Sequence, residues 1–124
     1  MLNKPKKFSK IPSEEKALLV AKWLDEKQGE NIVIMDVAEM SSVTNVTMVV
    51  SARGVKHAKA LSDNILDRTA EDKIEFLTME GHQTGEWILV DLNDVLVHIF
   101  LDELREFYNI EGMWSEAKRI EFEA

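Results

Sequence analysis

The sequence predicts an α/β domain, a mixed β-sheet with helices packed on it, and three observations carry that expectation. Apolar residues recur at helical spacing in two long stretches and alternate or cluster in five short β-branched ones. The stretches follow one another in the order α-β-β-α-β-β-β-α, the last helix being short. A chain of 124 residues, 45% hydrophobic and 31% charged, has enough apolar material for one core, and it contains no repeat or low-complexity tract.

The first helix is expected over 13–28. Ser13 offers a hydroxyl cap, and Glu14 and Glu15 suit the positive end of the helix dipole. Ala17, Val20, Ala21 and Leu24 form its stripe, widened by Leu18, Leu19 and Trp23, and Gly29 stands where a left-handed residue would end it. The runs 32–37 and 46–51 are strands, separated by a polar turn at 40–45. From Gly54 the period changes, and Val55, Ala58, Leu61, Ile65, Leu66 and Thr69 mark a helix that ends near Asp72. A third strand is expected at 74–79, then a loop at 80–85 from its two glycines. Asp102 can cap a short helix over 103–108, and Met113 and Trp114 should dock a tail on the body. Residues 1–12, with Lys4, Lys6, Lys7 and Lys10, read as a flexible arm, 13–114 as the domain, and 115–124 as a charged tail.

The stretch GEWILVDLNDVLVHIF, 85–100, folds best as a hairpin about Asn93-Asp94, because both residue types tolerate the positive φ of a tight turn. That turn pairs Leu92 with Val95, Asp91 with Leu96, Val90 with Val97, Leu89 with His98, Ile88 with Ile99 and Trp87 with Phe100. Strand alternation then divides the hairpin into two faces. Ile88, Val90, Leu92, Val95, Val97 and Ile99 are aliphatic throughout and belong to the core. Trp87, Leu89, Asp91, Leu96, His98 and Phe100 make a mixed face, which is either covered by a helix or meets a partner.

Composition excludes several functions. A formal charge of -8 repels nucleic acid and anionic membranes and attracts basic partners. The absence of cysteine removes thiol catalysis, disulfides and thiolate metal sites, and fits the cytoplasm. No apolar run approaches the roughly 18 to 20 residues that span a bilayer. Ser41, Ser42 and Ser51 lack a nucleophile elbow, and His57 and His82 lack metal-ligand spacing with nearby acids. Ser51–Ala58 has a single glycine, Gly54, and so signals a phosphate loop only weakly. No metal and no cofactor is expected. One enzymatic alternative remains, a nucleotide- or metal-dependent transferase using Asp91, Asp94 and His98, although the turn separates Asp94 from the other two.

SSVTN at 41–45, HAKALSDNI at 57–65, EWILVDLNDVLVHIF at 86–100 and REFYNIEGMW at 105–114 together resemble the ribosomal silencing factor family, also called Iojap-like, over about residues 14–115. The chain departs from that family's pattern at Thr44-Asn45, at Ala52–Lys56 and in the residues beyond Trp114. The resemblance implies an αβα fold of nucleotidyltransferase-like topology without that activity. It also implies a translational repressor that binds the large ribosomal subunit through ribosomal protein number fourteen and blocks joining of the small subunit. On the family's pattern the docking residues would be Trp87, Leu89, Asp91, Asp94 and His98, supported by Arg105 and Tyr108. A homodimer using the same face is a further partner this reading allows.

Overall fold

The computed structural model describes residues 8–123. Among them the elements are α1 (Ser13–Glu26), β1 (Glu30–Asp36), β2 (Val46–Ala52), α2 (Val55–Asp72), β3 (Thr78–Glu80), β4 (Trp87–Asp91), β5 (Val95–Leu101), α3 (Asp102–Tyr108), α4 (Ile110–Met113) and β6 (Lys118–Arg119). The strands form one mixed sheet in the order β3-β4-β5-β2-β1-β6, in which β2 and β5 run parallel and the other pairs antiparallel.

β2 reads VTMVVSA and is buried at all seven positions, as a central strand covered on both faces should be. One face packs under α1 and α2. Ala17, Val20, Ala21 and Leu24 from α1 and Ala58, Leu61 and Ile65 from α2 meet Met48, Val50, Ile88, Val90, Val97 and Ile99. Removing each large aliphatic side chain from water stabilises the fold by about 1.5 to 3 kcal/mol before entropy is counted. The other face is covered over only part of its width. There Leu104, Ile110 and Trp114 close over Met35, Val49 and Phe100.

Several expectations change. The third strand contracts from 74–79 to Thr78–Glu80, because Glu75 turns inward to an ion pair and Ile74 caps the core rather than extending a ladder. Ser13 is the first helical residue of α1, after an N-cap at Pro12, and its hydroxyl donates to Asp94 Oδ2 at 2.6 Å instead of capping. The left-handed residue that ends α1 is Gln28, with φ 64°; Gly29 is needed for space, since a Cβ there would lie 2.9 Å from Val50 Cγ2. Trp114 docks on the body, whereas Met113 is 70% exposed. Residues 115–124 were expected to form a tail, but Lys118 and Arg119 pair with Asp36 and Met35, and Ile120 N–H donates to Ile34 O. Of the arm expected at 1–12, residues 1–7 lie outside the described residues. Phe8 and Ser9 are tied by their amides to Glu75, and Ile11 packs on the core.

Candidate docking face

The hairpin adopts the register read from its sequence, Trp87 opposite Phe100 through Asp91 opposite Leu96. Asn93 supplies the positive φ, 81°, and Leu92 N–H closes the turn on Val95 O at 2.9 Å. All six residues of the aliphatic face are fully buried. The mixed face divides in two. Phe100 lies beneath α3 and α4, while Leu89, Asp91 and Leu96 remain partly open to solvent.

Trp87 and His98 stand at that boundary. The indole stacks on Phe100 with ring centroids 4.8 Å apart and meets Tyr108 at 4.7 Å, so three rings from β4, β5 and α3 fix one another. Trp87 Nε1–H donates to His98 Nδ1 at 3.2 Å. Burial holds the imidazole down from 6.5 to about 4, and it is neutral at pH 7. A glycine loop supports the tryptophan from outside. Gly81 has φ 83°, and a Cβ there would run into the Trp87 carbonyl oxygen.

Asp91 keeps its place on this face. Its Oδ1 accepts the Asn93 amide at 2.9 Å, and no bond joins it to His98 among the described residues. Asp94 is a correction to the expected docking set, because it is turned to the opposite side of the sheet and sealed there. Lys16 Nζ, on α1, donates to Asp94 Oδ1 at 2.7 Å, to Glu75 Oε1 at 2.8 Å and to Leu92 O at 2.6 Å, and Lys16 is 0% exposed. Burial alone would raise the Glu75 carboxyl, but the Lys16 ammonium and the Ser9 amide and hydroxyl outweigh it and hold it at about 2. Sequence reasoning passed over Lys16 and Glu75. Lys16 falls on the same helical stripe as Val20 and Leu24, where a lysine needs a buried acid.

Arg105 is likewise turned inward. Its guanidinium binds both Glu111 oxygens, at 2.9 and 3.3 Å, and Ser51 Oγ at 2.9 Å, bracing α3 and α4 on β2. Tyr108 is 46% exposed and extends the open aromatic surface beyond Trp87. His57 serves the fold: Nδ1 accepts from Arg53 N–H, and Nε2 lies 2.8 Å from Lys27 O, linking α2 to the end of α1. Asp91, Asp94 and His98 therefore do not converge. Among the described residues no group of three or more His, Cys, Asp or Glu could hold a metal ion, and no helix is long and apolar enough to cross a membrane.

The family model described as ribosomal silencing factor during starvation matches residues 10–124. The chain belongs to the ribosomal silencing factor family. The match includes the residues beyond Trp114, so the segment expected to overrun the family lies within it, in keeping with β6. The ribosomal silencing factor of Chromobacterium violaceum is 30% identical over 105 residues, 85% of this chain and 86% of that one. That of Bacillus subtilis is 33% identical over 99 residues, 80% of this chain and 84% of that one. The chloroplastic Iojap protein of maize is 29% identical over 85% of this chain but only 46% of its own length. A crystal structure from Chromobacterium violaceum superposes with a TM-score of 0.82 at 28% identity, covering 92% of this chain and 94% of that one. Silencing-factor membership agrees with a regulatory role in ribosome silencing and translation.

Proposed function

We propose that this silencing factor is a non-enzymatic, cytoplasmic translational repressor that docks on the large ribosomal subunit through ribosomal protein number fourteen and blocks joining of the small subunit. The docking surface is the open half of the mixed face, with Trp87 as anchor and Leu89, Asp91, His98 and Tyr108 around it. One observation carries this reading: a half-open tryptophan is held rigid by three ring neighbours, beside a carboxylate, on a chain of charge -8. A rigid aromatic loses little freedom on binding, and the charge suits a basic ribosomal protein. Asp94 and Arg105 serve the fold rather than the contact. The transferase alternative needs Asp91, Asp94 and His98 in one place, and the turn sends them to opposite faces.

The test is binding to isolated large subunits over a salt series, with formation of joined ribosomes as a second readout. Trp87→Ala should weaken binding at least about tenfold, as truncating an interface anchor does, and should permit subunit joining. Rising salt should weaken the wild type. A folded Trp87→Ala protein that binds and blocks joining as the wild type does would refute the proposal.

A further inference from the structure

Trp87 has a single polar hydrogen, on Nε1, and spends it on His98 Nδ1. The anchor therefore has no donor left for a partner. A neutral imidazole that accepts at Nδ1 must carry its own hydrogen on Nε2. Among the described residues nothing hydrogen-bonds to Nε2. His98 is 8% exposed, and the fully buried side-chain polar atoms that lack a partner among the described residues, Trp23 Nε1 and Asn93 Oδ1, do not include its Nε2. Register places Leu89 opposite His98 on β4 and Val49 beside it on β2, giving the N–H an apolar surround in which a hydrogen bond counts for more than in water.

We infer that the hydrogen-bond donor this face offers its partner is His98 Nε2–H, and that a main-chain carbonyl oxygen of a basic polypeptide receives it. The inference rests on the docking reading above and adds the chemistry of its central contact. A carboxylate or phosphate acceptor is disfavoured here, because Asp91 shares the face and the chain carries -8. A carbonyl brings no net charge, and a lysine or arginine on the same polypeptide suits Asp91. His98 thus has two tasks: Nδ1 orients the indole, and Nε2–H selects the partner.

Three substitutions separate these tasks. His98→Phe keeps a ring and removes both nitrogens. His98→Asn can still accept from the indole through its amide oxygen but has no donor where Nε2 stood. His98→Gln places an amide N–H there. Binding is measured to intact large subunits, to purified ribosomal protein number fourteen and to deproteinised large-subunit RNA. The expected result is a loss of about tenfold for His98→Phe and His98→Asn on the first two probes, substantial recovery in His98→Gln, and no binding to the RNA. Wild-type binding by folded His98→Phe and His98→Asn, with Trp87→Ala still defective, would overturn the inference and leave the docking reading intact. Wild-type binding by Trp87→Ala would remove both. Loss confined to the RNA probe would place the acceptor on nucleic acid and overturn the carbonyl assignment. The nitrogen-15 spectrum of the free wild-type protein gives a test independent of any variant: His98 should be protonated at Nε2 and bare at Nδ1, and the reverse tautomer sinks the inference.

Discussion

At the turn of the β4–β5 hairpin, Lys16, Glu75 and Asp94 are sealed beneath α1 and satisfy one another. On the other side of the same hairpin, Trp87 and His98 satisfy each other at one nitrogen apiece, and among the described residues nothing bonds to His98 Nε2. The first cluster is complete and the second is not. Each takes a candidate from the same sixteen-residue run, 85–100: Asp94 joins the first cluster, and Trp87 and His98 form the second. Completeness separates them: a polar group whose bonds are all made within the fold has nothing to offer a partner.

The sharpest way to break this contrast is to remove the lysine. Lys16→Met strands two buried carboxylates and should cost about 3 to 5 kcal/mol of stability, read from urea unfolding. Adding Glu75→Gln and Asp94→Asn should return much of that, because the uncompensated charge is then gone. If Lys16→Met alone costs under about 1 kcal/mol, the sealed cluster does not hold α1 to the hairpin turn.

Acid should dissect the two regions in separate windows. His98 is depressed from 6.5 to about 4, so the unfolded chain binds its proton first; the stability is full above pH 6.5 and falls by about 3 kcal/mol as pH drops through 4. Glu75 is depressed from 4.5 to about 2, so its share is present above pH 4.5 and falls by a similar amount, about 3 kcal/mol, towards pH 2. Unfolding midpoints measured from pH 7.5 downward should show both declines, and His98→Phe should abolish only the upper one. The smallest effect belongs to the turn that joins the regions. Asn93 has φ 81° and a buried, unpartnered Oδ1, so Asn93→Gly should change stability by no more than about 0.5 kcal/mol, whereas Asn93→Val should cost more than about 1 kcal/mol. Thermal melting of the pair measures the difference.

The hairpin was legible because two independent rules agree on it, a turn that fixes register and an alternation that fixes faces. Of the residues that the family resemblance singles out, Trp87, Leu89, Asp91, His98 and Tyr108 share one surface. Asp94 was misread because parity says nothing about a residue inside a turn, where the backbone changes direction. β3 was overestimated for a related reason: IEFLTM alternates like a strand, but the ion pair at Glu75 outweighs the ladder its first four residues would have made. β6 left no periodic signal in two residues, and its place is set by pairing with β1.

Lys16 lies 59 residues ahead of Glu75 and 78 ahead of Asp94 in the chain. At synthesis rates of about 5 to 20 residues per second, Lys16 of α1 is made roughly 4 to 16 s before Asp94, the last of its charge partners. During that interval its inward stripe carries an ammonium that has nowhere dry to go. Burying that ammonium without Glu75 and Asp94 would leave a charge unpaired in the core, so the packed position of α1 and the closed turn of the β4–β5 hairpin stabilise each other.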